Sequence, residues 1–107
     1  MSLNETTRER IIRLLMESKT PLSARDIALE LGLDPKLGER MVYEHLLHIA
    51  KTIRRQSGGR LALYMMPPKC RNCGYVFKNL DKPRKPSRCP RCKSERIDPP
   101  LFKIFES

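Results

Sequence analysis

Four cysteines fall in two matching hooks, Cys70-Arg71-Asn72-Cys73-Gly74 and Cys89-Pro90-Arg91-Cys92, and the chain has no others. The interval between Cys73 and Cys89 is 15 residues long. Two CxxC hooks at this spacing predict a four-thiolate zinc ribbon, in which each hook supplies two ligands to one tetrahedral, structural Zn²⁺. A CxxC turn folds back so that both sulfurs face one point and backbone N–H groups can bond to the thiolates. Gly74 supplies the positive φ needed just past the second ligand, and Pro90 stiffens the second hook. A disulfide framework or buried free thiols are the alternatives. The stretch Met1 to Arg8 lacks the basic and apolar pattern of a secretory signal. It therefore favours zinc and a cytoplasmic setting, where thiols stay reduced.

Charge is distributed unevenly around these hooks. Residues 1–50 carry 7 basic and 8 acidic side chains, whereas residues 51–96 carry 14 basic and 2 acidic ones. One half is balanced and the other is a concentrated positive field, within an overall formal charge of +10. A segregated field of this kind calls for a polyanion, with the phosphate backbone of double-stranded DNA as the leading partner. The longest strongly apolar run, residues 61–66, is too short to cross a membrane. Outside the cysteine set there is no Ser/His/Asp or Cys/His arrangement and no phosphate loop, so an enzyme is not expected.

The elements that must carry this charge begin near residue 4. Asn4 or Thr6 can cap a first helix, with Thr7, Ile11, Leu14, Leu15 and Ser18 on one face and Ile12 at its edge. Thr20-Pro21-Leu22 is extended. Ser23 to Asp26 forms a capping box that opens a short second helix with an apolar stripe of Ala24, Ile27, Ala28 and Leu31. Gly32 ends it, Asp34 caps, and Pro35 starts a third helix that should run to about Lys51 or Arg54. The step through Ile27 to Leu33 has the pattern of a helix-turn-helix corner.

Setting Val42 at zero and stepping about 100° per residue puts Gly38, Val42, Leu46, Ile49 and Ile53 on the buried face of the third helix. Lys36, Arg40, Tyr43, Leu47, Lys51 and Arg54 then form a basic stripe, continued by Arg55 and Arg60. In a helix-turn-helix this stripe would enter the major groove, although Glu39 and Glu44 lie nearby and oppose phosphates. Leu37, Met41 and His48 make a third stripe that reads as packing or a dimer contact, and a homodimer is open to such a chain. His45 and His48 are spaced to share a metal but read as ordinary packing or surface residues beside a complete cysteine set.

After the turn Ser57-Gly58-Gly59 comes a strand from Arg60 to Met66, stopped by Pro67-Pro68. Beyond the ribbon, Pro99-Pro100 precedes an apolar strand, Leu101 to Phe105. The simplest topology pairs residues 61–66 with 101–105 and places the ribbon at the tip, as the wing; the alternative is a plain C-terminal ribbon on a linker, with the final strand belonging to the ribbon itself. The paired topology divides the chain into a winged helix-turn-helix over 1–68, a ribbon over 69–98, and a returning strand over 99–107. Leu61, Leu63 and Met65 should face the helices. Inside the ribbon, Tyr75-Val76-Phe77 is the one good strand, and so small a cluster needs metal to hold it. The loop Lys78 to Arg88 is basic and stiffened by two prolines. Lys82, Arg84, Lys85 and Arg88, together with Arg91 of the second hook, are its candidate phosphate contacts.

Three stretches carry a resemblance over essentially the whole chain: Val42-Tyr43-Glu44-His45-Leu46 with His48 to Lys51; Cys70 to Phe77; and Lys82 to Cys92. The sequence resembles an archaeal family of small predicted transcriptional regulators that join a winged helix-turn-helix to a rubredoxin-like zinc ribbon. The resemblance implies an α+β fold, one zinc on Cys70, Cys73, Cys89 and Cys92, and DNA binding. The alternative function is an adaptor that docks on proteins of the transcription machinery through the ribbon and third helix. An iron-bearing redox ribbon is the weakest reading, because the segment is strongly basic and poorly shielded. Lys93 departs from the rubredoxin-like pattern, which usually has glycine there, so a slightly distorted second hook is expected.

Overall fold

The Thr6 hydroxyl accepts the Glu9 backbone N–H while the Glu9 carboxylate accepts that of Thr6, and this capping box starts helix α1 (Thr7–Glu17). The computed structural model describes residues 5–106; Asn4, the other candidate cap, lies outside them. Ile11 and Leu15 are fully buried from α1, with Ile12 and Leu14 packed beside them. The Ser23–Asp26 box starts α2 (Ala24–Glu30), which buries Ala24, Ile27 and Ala28. Gly32 takes the corner at φ +72. Asp34 then accepts the Leu37 N–H to cap α3 (Pro35–Gln56).

Helix α3 buries Gly38, Val42, Leu46, Ile49 and Ile53, the face set by the 3.6-residue period. Gly38 is there because α2 and α3 touch: a Cβ on it would lie 2.7 Å from Leu33 Cβ and 3.3 Å from Ala28 Cβ. The helix runs beyond the expected end at Lys51 or Arg54, to Gln56. Its last carbonyls find donors in the glycine turn, where the Gly59 N–H bonds to the Arg54 carbonyl at 2.7 Å. The Leu37, Met41 and His48 stripe does not pack within the chain, since all three are exposed.

Strand β1 (Leu61–Met66) pairs antiparallel with β4 (Leu101–Glu106), from Leu61 opposite Glu106 to Met66 opposite Leu101. Further out, β2 (Lys69–Cys70) pairs with β3 (Ile97–Asp98). Both ladders share one register, which places Pro67 opposite Pro100 and Pro68 opposite Pro99. Four residues without N–H donors thus interrupt a single two-stranded arm, because proline cannot donate to a ladder. On the other side of β4, Leu22 and Phe102 exchange backbone hydrogen bonds of 2.9 and 2.7 Å. β4 is therefore central, and its Phe102 and Ile104 are buried against the helices along with Leu61.

The ribbon hangs from the far end of this arm. The strand expected at Tyr75-Val76-Phe77 is reduced to a single bridge between Val76 and Lys69. The cause is the shortness of its partner, since Pro68 leaves only Lys69 and Cys70 before the first hook turns away. Among the described residues the architecture is α+β: three helices, two small antiparallel sheets and a metal ribbon.

Candidate metal centre and nucleic-acid groove

Each cysteine hook is a tight turn closed by a backbone hydrogen bond to its first ligand. The Gly74 N–H bonds to the Cys70 carbonyl at 2.9 Å, and the Lys93 N–H bonds to the Cys89 carbonyl, also at 2.9 Å. Gly74 sits at φ +81 and Lys93 at φ +67. The second hook is therefore not distorted by its lysine; Lys93 adopts the left-handed conformation that glycine holds in the first hook. For a residue with a Cβ this costs on the order of 1 kcal/mol.

The four sulfurs converge. Cys70 and Cys92 Sγ are 3.6 Å apart, as are Cys73 and Cys89 Sγ, and all four lie within 4.8 Å of one another. A tetrahedral zinc with Zn–S bonds of about 2.3 Å requires sulfurs about 3.8 Å apart, so the residues fit the ion. Cys70 and Cys89 are buried and Cys73 is exposed. The Asn72 side chain donates to Cys92 Sγ at 3.3 Å, and the Arg91 N–H donates to Cys89 Sγ at 3.4 Å. The Asn72 donor and the Ser94 N–H bring Cys92 down to about 6. The Tyr75 N–H acts to lower Cys73, but desolvation and the three neighbouring sulfurs outweigh it and push that thiol up to about 12. All four ligands must be thiolates to hold a dication, so metal binding releases protons from the set. With all four positions taken by thiolate, the set leaves no open place for substrate, and its role is structural.

Residues 6–62 match the family described as PF0610-like, N-terminal, and residues 67–107 match the PF0610 rubredoxin-like zinc beta-ribbon domain. The chain belongs to the PF0610-like family. Among solved structures it is similar to the solution NMR structure of protein PF0610 from Pyrococcus furiosus, at 36% identity and a TM-score of 0.72. That likeness covers 100% of this chain and 95% of the other. No curated protein matches the chain. The cysteine set of this PF0610-like chain is thus a rubredoxin-like zinc ribbon site for one Zn²⁺.

A second feature joins the two halves. Lys36, Arg40 and Tyr43 on α3 and Lys82, Arg84 and Lys85 on the ribbon loop line one groove of about 410 Å³, with Glu39, Glu44, Leu47 and Pro83. Six of the candidate nucleic-acid residues are brought together here. Lys51, Arg54 and Arg55 are exposed on later turns of α3, outside the groove. Arg60 pairs with Glu106 at 3.5 Å beside β1. Arg88 lines a neighbouring pocket on the ribbon, and Arg91 is exposed in the second hook.

Tyr43 is not the exposed member of a basic stripe that the helical wheel implies. It packs against the core, edge-to-face with Phe102 at 6.3 Å, and its buried hydroxyl has no hydrogen-bond partner among the described residues. It lies one residue, about 100°, from buried Val42, and the central strand β4 places Phe102 within its reach. Burial first, and then the charge of Glu39, raise its pKa well above the ordinary phenol value. Among the described residues no helix is long and apolar enough to cross a membrane.

Proposed function

We propose that this PF0610-like protein is a winged helix-turn-helix DNA-binding protein, a non-enzymatic transcriptional regulator of the cytoplasm whose zinc ribbon serves as the wing. The groove between α3 and the ribbon loop carries this reading. Its helical wall presents Lys36 and Arg40, and its ribbon wall presents Lys82, Arg84 and Lys85. Two cationic walls facing one gap repel each other, and an anionic strand lying between them relieves that repulsion. When a recognition helix enters the major groove and a wing rests on the flanking groove, a sugar–phosphate strand runs between the two. The α2–α3 corner and the β1–β4 pair, with Leu22 bridged to Phe102 on its other side, are the parts such docking requires. Glu39 and Glu44 suit a base amino group rather than phosphate.

Titrating zinc-loaded protein with duplex DNA over a range of salt tests the proposal. Five groove cations on five phosphates give a log–log slope of about −4.5. Reversing Arg84 and Lys85 to Glu should flatten the slope without changing sequence preference, because phosphate contacts carry no base information. A lack of duplex binding even at low salt would overturn the reading. An adaptor role would then take its place, supported by the exposed apolar residues Leu29 (55%), Leu37 (67%) and Met41 (45%).

A further inference from the structure

A second pocket, of about 350 Å³, opens on the ribbon itself and is lined by Tyr75, Phe77, Asn79, Arg84, Ser87 and Arg88 among others. Arg84 belongs to both this pocket and the α3 groove, so the two are adjacent. The volume lies in the range of about 300–1,000 Å³ typical of small-molecule sites. Its chemistry differs from that of the groove. The groove is cationic with a single ring, whereas this pocket combines two rings with two guanidinium groups and two neutral hydrogen-bonding side chains. Tyr75 and Phe77 meet edge-to-face at 5.0 Å; both pack against Cys70, Cys89 and Ile97, and part of their surface lines the pocket.

We propose that this pocket binds one unpaired nucleotide of DNA. Its base would stack on the Tyr75–Phe77 pair and its phosphate would lie on Arg84 and Arg88. Stacking on aromatic side chains next to a basic track is how single strands are held, with little dependence on base identity. Asn79 and Ser87 supply donors and acceptors for a base edge that Watson–Crick pairing no longer occupies. The inference rests on the proposed duplex binding, which places a strand in the adjacent groove. It extends that reading to a junction: duplex on α3, with an unpaired nucleotide at the ribbon.

Three probes separate the two proposals: a blunt duplex, the same duplex with a single-stranded extension of about five nucleotides, and the single strand alone. The extension should raise affinity on the order of tenfold over the blunt duplex. Phe77→Leu, which keeps the position apolar, should remove that gain, and Phe77→Tyr should retain it, with zinc content confirming a folded ribbon in both. In unaltered protein, the single strand should shift the ring protons of Tyr75 and Phe77 upfield. The ring of Tyr64, on the outer face of β1, should not move. Equal affinity for blunt and extended duplex, or unmoved Tyr75 and Phe77 resonances, would overturn the unpaired-nucleotide site while leaving duplex binding intact. Binding of the single strand with no binding of the blunt duplex would support the pocket and remove the recognition-helix reading.

Discussion

One antiparallel arm runs through both halves of this protein, yet different forces hold its two ends. At its base, Leu61, Phe102 and Ile104 lie in a continuous apolar core with Ile11, Leu15, Ile27, Val42, Leu46, Ile49 and Ile53. At its tip the buried cluster is Cys70, Cys89 and Ile97, and two of these three are metal ligands. Burying an aliphatic side chain contributes about 1.5–3 kcal/mol, whereas ordering each residue costs roughly 1–2 kcal/mol. The helical half can offset that cost with its own side chains. The ribbon, with Ile97 and partial cover from Tyr75 and Phe77, cannot. A single strand pair therefore joins a region specified by hydrophobic periodicity to one specified by ligand spacing.

The strongest way to break this comparison is to remove the metal. Structural zinc contributes about 10–16 kcal/mol at neutral pH, so chelation should dissolve the ribbon. Amide resonances from residues 70–97 should collapse toward random-coil positions while those of the three helices persist. Loss of the helical resonances at the same chelator concentration would show one cooperative unit instead of two.

The reverse experiment is Phe102→Ala. This side chain is fully buried at the centre of the core, touches Tyr43, and shares its backbone bonds with Leu22. Truncation should cost the helical half about 3–5 kcal/mol, read as a large fall in the helical melting temperature. Zinc stoichiometry should stay near one per chain. Loss of zinc together with the helices would mean that the ribbon leans on the core.

The finest test concerns the two hooks. Lys93→Gly relieves the left-handed strain that Gly74 avoids in the first hook. The net gain should be about 0.5–1 kcal/mol, visible as a few-fold rise in zinc affinity against a competing chelator. An unchanged or weaker affinity would show that the second hook tolerates its lysine without strain.

Much of this division was readable in the chain. The hooks are local, and so are the caps at Thr6, Ser23 and Asp34, which is why spacing alone located them. The buried face of α3 followed from period, because burial on a long helix repeats with the turn. The misreadings arose where distant segments decide. Tyr43 was assigned to solvent because a helical wheel cannot know that Phe102, 59 residues later, comes beneath it. Tyr75 to Phe77 have strand composition, but a strand also needs a partner of equal length, and Pro68 removes it. The groove between α3 and Lys82 to Lys85 depends on the direction in which the arm leaves the core, and no local pattern encodes that. The ribbon pocket left one trace, two aromatic residues close to Arg84 and Arg88 in sequence, and their side-by-side placement required the fold.

The central position of β4 sets a timetable for folding. Phe102 and Ile104 complete the core, yet they follow the whole ribbon in chain order. As the polypeptide emerges N-terminus first, the helices are made early but wait for their last strand. Both cysteine hooks precede that strand in chain order. Zinc captured then would draw the ends of the intervening segment together and shorten the search that brings β4 to β1, since closing a long floppy loop carries an entropic cost. The ion that ends as a static clamp would act first as a chaperone, and zinc starvation would show as newly made chains that mature slowly.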